Sequence, residues 1–459
     1  MNTLTQSLLA CLLLSTAACA GEADREPSEA TGSTTSAIST GPGSLDTSFS
    51  GDGKVVTPFS GGLVRANAVV SVPGFLSQPG KVMAGGQAGG VARLVRYNLN
   101  GSVDTSWNAP SFGFGSVVAG IAIANGETIW AINTCTTAAC TDLETSLENG
   151  SKAKFFWLSR TGTILRQAEV WGNASAFAAT SLAINADGIL AIAGGAIDLN
   201  GNAVGFSMRW RTKTDGVDGL SVQDYPGLAT IPSPAIPGGG EAYMGVVVQP
   251  DGKSVVTSLR NYGGRKWSCF VRVSGGAPDS SFYQNAHGGN CVSRGVPYGI
   301  TLVDTKVYAT GYAYPSAQPA WQTKGPLSPD QENVVDENVH VLAMWHMRTD
   351  NGFPTWAVNT TDLPNTTREE GHAIRVDIQG RIVVVGSTPS GFVVLRKTQL
   401  TAALDSSFGT NGIATNAISG APLHRAYAMD IDPNGLIYGA GYANTLQAEQ
   451  FGLLRVNDE

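Results

Sequence analysis

Residues 182–195 read LAINADGILAIAGG: an apolar alternating run, a polar Ala-Asp-Gly turn, then a second apolar run ending in small residues. This is the pattern of a β-hairpin, because glycine accepts the positive φ of a primed turn and the preceding Asp or Asn tolerates it. The same pattern recurs along the chain. Residues 78–86 end QPGKVMAGG, 120–133 read GIAIANGETIWAIN, and 246–258 read VVVQPDGKSVVTS. Residues 299–312 read GITLVDTKVYATGY, 374–387 read IRVDIQGRIVVVGS, and 429–442 read MDIDPNGLIYGAGY. The turns fall near 80, 126, 188, 252, 304, 380 and 435, a mean spacing close to 59. A fixed period of this size marks a repeat architecture.

A third run follows each hairpin and usually carries an arginine: Arg96, Arg160, Arg211, Arg272, Arg348, Arg396 and Arg455. In four places a short marker stands nearby: LDTSF at 45–49, VDTSW at 103–107, PDSSF at 278–282 and LDSSF at 404–408. A fourth apolar run follows the marker, so each repeat supplies four strands, close to the content of a propeller blade. The arginine is expected to bond the neighbouring marker Asp or a backbone carbonyl. The last repeat stops in its third run, and the missing marker and fourth run stand at the start, at 43–56. The expected fold is therefore an all-β, single seven-bladed β-propeller with four-stranded blades, its ring closed by the N-terminal strand. A β-trefoil-like fold or a β-solenoid stack is the alternative.

The string LDxSFGxxGxV, the (N/D)G hairpin, the A-G-G ending and F-x-L-x-R-Y-x-x-(D/N)-G resemble the delta-60 repeat family. The resemblance covers residues 44–459 and is strong at 45–55, 96–107, 182–195, 246–256 and 404–412; the marker is missing after Arg160, Arg211 and Arg348. It implies an exported bacterial protein with a propeller-like fold, in a family mostly of unknown function.

Composition agrees. The 459 residues include 57 glycines, only 14 % are charged, and the formal net charge is −7. No basic excess suits a nucleic acid, no heptad pattern suits a coiled coil, and 42 % hydrophobic residues exclude a wholly disordered chain. Residues 1–19 read as a signal peptide, with the apolar run SLLACLLL at 7–14 too short to span a bilayer. Its Ala17-Ala18-Cys19 ending resembles a lipobox, which implies lipidation at Cys19; cleavage after Ala20 is the alternative. Residues 20–43 are Ser, Thr, Gly and Glu rich and are expected to form a disordered tether before the propeller of 44–459. The expected location is the outer membrane or cell surface, with periplasmic or secreted as the alternative. Membrane contact is expected only through the lipid.

Cys135, Cys140, Cys269 and Cys291 form an even set in an exported chain, and local pairing gives Cys135–Cys140 and Cys269–Cys291, although three connectivities are possible. The long insertions, 134–152, 193–204, 217–241 and 314–338, are where binding is expected, with Tyr314 and Trp321 as candidate contact residues. Asp430, Asp432 and Asn434 match the opening of a calcium loop, but position twelve is Gly441, so no cofactor is expected and calcium is the alternative. His340 and His346 are six apart and would share a strand face with Leu342 and Met344. No G-x-S-x-G, H-E-x-x-H or P-loop occurs. The expected function is a monomeric binding or scaffold module for an envelope protein or glycan. The alternative is an envelope enzyme, a glycan hydrolase or lyase with carboxylates in a central funnel.

Overall fold

The computed structural model describes residues 41–74, 79–124, 127–136, 140, 142–214, 220–224, 229–231, 240–262, 265–282, 290–314, 339–352, 354, 358–363, 366–416, 424–444 and 449–459. Cys19, Trp321 and nearly all of the tether lie outside them. The described chain is all-β, with one short helix at Leu143–Glu148. Among the described residues its strands pair into six antiparallel sheets, and because one of these, eight-stranded, joins two successive meanders through Arg265–Ser274 and Asn290–Val303, seven meanders follow one another along the chain. They begin with the strands Val64–Val72, Ser116–Ala124, Ala174–Ile184, Gly240–Val248, Asn290–Val303, Glu370–Val376 and His424–Ile431. Each first strand packs against the first strand of the next meander, and His424–Ile431 packs back against Val64–Val72.

The first and last described strands meet in the seventh meander. Lys54–Thr57 pairs with Glu449–Asn457, matching Lys54 with Leu454 and Thr57 with Phe451. The last residues of the expected tether make backbone contacts with the sheets. Pro42 and Gly43, assigned to the tether, are bonded through the Gly409 N–H to the Pro42 carbonyl and the Gly43 N–H to the Asn457 carbonyl. Four strands per meander is not a uniform rule. The first meander has three named strands, and the fourth has only Ala277–Pro278 in the outer place. There the long strand Asn290–Val303 of the next meander fills in, pairing with Arg265–Ser274 and aligning Cys269 with Cys291. Those two cysteines are disulfide-bonded, as are Cys135 and Cys140.

Among the described residues there is no single central core. Apolar side chains gather in seven main clusters, each between one meander and the next. Phe155 and Trp157 meet Phe206 and Trp210 between the second and third, for example, and Phe49, Val55 and Phe451 meet Val64 and Tyr97 between the seventh and first. Alternation along each strand sends one set of side chains to each neighbour, which is why the strands read as almost continuously apolar.

The recurrent arginine and the marker make one clamp. Arg96, Arg272 and Arg396 each donate from Nε to the marker carboxylate, Asp104, Asp279 and Asp405, at 2.9 Å. Arg455 reaches Asp46 at 2.7 Å. The marker serine, Ser106, Ser281, Ser407 or Ser48, donates its backbone N–H to the same Asp. The marker aromatic lies under the guanidinium, at 5.7 Å for Trp107, 5.0 Å for Phe282, 4.7 Å for Phe408 and 4.8 Å for Phe49. Nη1 then donates to a carbonyl of the next meander: Arg96 to Arg160, Arg272 to Thr349, Arg396 to Asp458 and Arg455 to Leu99. Burial opposes ionisation of these aspartates, but the serine bonds and the guanidinium outweigh it and hold all four below the usual carboxylate range.

Three of the seven arginines read from sequence do not hold this place. In the third meander Arg209, not Arg211, donates to the next meander at Gly252, and Arg211 is exposed. In the second and fifth the equivalent positions are Trp157 and His346, and Arg160 and Arg348 fall beyond the buried part of the strands, at their ends. His346 is buried and stacks on Tyr308 at 4.5 Å, and burial, helped by Lys306, pushes its pKa down to about 4.

Arg396 is wholly buried, so Arg396→Ala strands Asp405 and an inter-meander carbonyl. It should lower stability by about 3–5 kcal/mol in urea unfolding. Arg211→Ala and Arg348→Ala should leave the midpoint unchanged; equal losses for all three would mean that the clamp does not discriminate between them.

Candidate functional site

Every first strand carries a β-bulge at the same place, and Ala174–Ile184 has a second irregularity nearer its start. The extra residues are Asn67, Ala119, Thr180, Met244, Tyr298, His372 and Tyr427. A bulge sets two residues against one and re-aims a side chain. Here all seven side chains line a common channel, forming a waist between a cavity of about 310 Å³ and one of about 140 Å³.

The repeat's small residues exist to permit this. A Cβ on Gly86 would run into the Arg65 carbonyl oxygen, and one on Gly441 into that of Arg425, because the bulge presses the first strand against the second. The residue after each bulge is also small: Ala68, Gly120, Ser181, Gly245, Gly299, Ala373 and Ala428. At Gly299 a Cβ would meet the backbone of His372 and Ala373 in the neighbouring meander. The A-G-G ending and the small residue of the first strand thus form the frame, and the bulge residue is left free to vary.

The channel wall is two-sided. Two residues before the bulge stand Glu370, Arg425 and Arg65 on three consecutive meanders, above His372, Tyr427 and Asn67. Val117, Ala119, Ala179, Thr180 and Met244 line the other side. Glu370 Oε1 lies 2.9 Å from His340 Nδ1, and its Oε2 lies 3.4 Å from His372 Nε2. Each imidazole is backed by a tyrosine, His340 on Tyr312 at 3.8 Å and His372 on Tyr298 at 4.8 Å. Burial disfavours the Glu370 charge, but His340, His372 and Arg425 outweigh it and hold the carboxyl well below its usual range. Burial, reinforced by Glu370, raises the Tyr298 phenol far above its ordinary value, so it stays a neutral donor.

The helix Leu143–Glu148 sits at the mouth of the larger cavity, contributing Leu143 and Ser146. Asp142 lines the mouth too, but its carboxylate caps the helix by accepting the Thr145 N–H at 2.9 Å. The Cys135–Cys140 disulfide closes the segment leading into it, and Gln87 Nε2 donates to the Cys140 carbonyl.

Sequence candidates fare unevenly. Tyr314 is no exposed contact residue: it is 3 % exposed, covered by the Arg294 guanidinium and packed edge-on to Tyr312 and His340. It supports the His340–Glu370 pair from behind. His340 and His346 do not act together, since one bonds Glu370 and the other stacks on Tyr308. Asp430 and Asp432 do not converge as calcium ligands. Asp432 Oδ1 accepts the N–H groups of Asn434 and Leu436 in its own turn, and Asp430 accepts the Ser71 N–H at 2.7 Å and faces Arg375 at 3.7 Å. Among the described residues no group of three or more His, Cys, Asp or Glu is arranged to hold a metal ion. Arg65, Asn67, Tyr298, Glu370, His372, Arg425 and Tyr427 do not stand out as site residues in the sequence. The available signal is the column N, A, T, M, Y, H, Y standing just before an unvarying small residue.

No family profile matches the chain, and no curated protein does. Among solved structures it is similar to a Trypanosoma rangeli sialidase in complex with sialic acid, at 11 % identity and a TM-score of 0.40, covering 78 % of this chain and 56 % of that one. A Hadza microbial sialidase aligns at 7 % identity and 0.41, covering 80 % and 73 %. The calcium-binding protein regucalcin from Agrobacterium tumefaciens aligns at 12 % and 0.36, covering 74 % and 91 %. The chain spans just over half the length of the first of these. None of the likenesses extends to a site or an activity.

Gly441→Ala should cost about 1–3 kcal/mol and change the near-ultraviolet circular dichroism as Tyr427 is displaced. Gly113→Ala, with no atom near the added Cβ, should be silent in both. An unperturbed Gly441→Ala spectrum would show that the glycine does not set the bulge.

Proposed function

We propose that this chain is an exported seven-bladed β-propeller, held at the cell envelope by a lipid on Cys19, that binds an envelope glycan or protein at its channel mouth. The ring reading is supported by the seven inter-meander clusters, the last of which joins the two chain ends. Export is supported by the two disulfides, which persist in oxidising compartments.

The observation that carries binding over hydrolysis is the state of the mouth's carboxylates. Glycosidases use two carboxylates, about 5–9.5 Å apart, one able to give a proton and the other to attack or activate water. The two carboxylates lining this mouth among the described residues are Glu370, held between two imidazoles, and Asp142, engaged as a helix cap. Neither is poised for that work. What the wall offers instead is aromatic faces, amide groups and guanidinia, the chemistry of recognition.

The test uses the full chain on a glycan array and against envelope extract, with Tyr427→Ala beside it. Retention of a defined ligand, weakened about ten-fold or more in Tyr427→Ala at unchanged melting temperature, is expected. Release of new reducing ends from a bound glycan would replace this reading with the hydrolase. For the anchor, Cys19→Ser should move the protein from the membrane to the soluble fraction, and retention of that variant at the membrane would remove lipidation from the proposal.

A further inference from the structure

Within the binding reading just given, we infer that the channel mouth takes a ligand with a single carboxylate on a small ring, and that Arg65 binds the carboxylate. Arg65 differs from the ion-paired arginines of the described chain. Arg260 has Glu241 at 2.8 Å, Arg375 has Asp430 at 3.7 Å, and the clamp arginines have their aspartates at 2.7–2.9 Å. Among the described residues Arg65 has no carboxylate within ion-pair distance, and its buried Nε has no hydrogen-bond acceptor. A buried donor without an acceptor is costly to keep and calls for an explanation, a bound anion among them. The guanidinium lines the 310 Å³ cavity and lies 5.8 Å from the centre of the Tyr427 ring.

The neighbours fix the charge and shape of the ligand. Arg425 acts electrostatically on Glu370 and Asp142 caps its helix, so the four charges of the mouth balance, and Arg65 has no carboxylate engaged to it among the described residues. Glu370, on the same wall, would repel the second charge of a phosphate dianion, and this favours a monoanion. A guanidinium fork matches a carboxylate in two parallel hydrogen bonds. Beside it, the Tyr427 and Tyr298 rings offer flat faces and polar edges, and the far side presents Val117, Ala119 and Met244, with the Asp142 carboxylate there turned to its helix cap. A ring with one polar, acidic edge and one apolar face complements this cross-section. The cavity is at the lower end of the roughly 300–1,000 Å³ usual for small-molecule sites, so it suits one or two sugar-sized rings of an acidic saccharide.

The experiment is calorimetric titration of the full chain with galacturonate, its methyl ester and inorganic phosphate, each up to about 10 mM, for the native chain, Arg65→Gln and Arg65→Lys. Galacturonate should bind at least ten-fold more tightly than its ester and than phosphate. Arg65→Gln should remove that preference, and Arg65→Lys, which keeps the charge and loses the fork, should retain part of it. Equal binding of acid and ester, tighter binding of phosphate, undiminished binding to Arg65→Gln, or no binding of galacturonate would each overturn the inference. Ester or neutral-glycan binding that Arg65→Gln leaves intact would do so while the broader binding reading stands. Failure of the native chain to hold any array glycan or extract partner would end that reading instead.

Discussion

One side chain carries the directional part of this fold. Contacts between successive meanders are mostly aliphatic and aromatic, and apolar burial is strong but nearly indifferent to orientation. The clamp arginine supplies what burial lacks. Its Nε holds the marker Asp of its own meander, its face covers the marker aromatic, and its Nη1 reaches a carbonyl of the next meander. Each part alone is modest; together they fix how far one sheet is turned against its neighbour. Arg455 does this across the chain termini, joining Asp46 near the start to the carbonyl of Leu99 in the first meander. Where the clamp is missing, bulk replaces it. Trp157 fills the position in the second meander and the stacked pair His346–Tyr308 fills it in the fifth, and in both the marker has disappeared as well. In these two meanders arginine and marker are lost together, whereas the third, which lacks the marker sequence, keeps a buried arginine, Arg209, that still reaches the next meander.

At the axis a different constraint rules. Seven first strands crowd one channel, and their bulges press the backbone of one strand against the next. Small residues at Gly86, Gly194, Gly311, Gly386 and Gly441 are the places where a Cβ would meet that backbone. This separates two jobs that usually compete. The glycines and the residue following each bulge are bound by packing, whereas the bulge residue points into open space and can be Ala119 or Tyr427 without disturbing the frame. A nearly regular scaffold thereby carries an irregular site.

That separation explains what was legible in the sequence. Hairpins, period, disulfide pairs, the reciprocal strand Lys54–Thr57 and the arginine's bond to the marker Asp could be read there, because each is a local pattern or a count. The phase of the arginine could not. Arg209 and Arg211 are two apart and share a strand face, so alternation alone cannot choose between them. Arg160 and Arg348 lie where a strand gives way to a turn, and a period of two does not say which residue of a strand is its last. The site was hidden for a related reason. A bulge shifts the alternation by one, so a strict strand reading aims Tyr298, His372 and Tyr427 the wrong way. Tyr314 misled in the opposite sense: the Pro-rich stretch after it suggested a displayed loop, but the ring packs under Arg294 beside Tyr312.

Charge economy sharpens the picture of the axis. Only 14 % of the chain is charged, and many of the buried charges have an evident structural partner in a clamp or a turn. Against that background three charged residues from consecutive meanders at one level of the channel are unusual, since the equivalent positions on three others are Val117, Ala178 and Val296. The fold does not need them there: those meanders pack without them. Glu370 is ordered by two imidazoles, which are ordered by tyrosines, and one of these, Tyr312, is backed by Tyr314. A carboxylate steadied so thoroughly is a poor proton donor but a good fixed charge. Fixed charges beside flat aromatic faces keep their arrangement without reorganising, and closely packed sheets are a scaffold that holds them so.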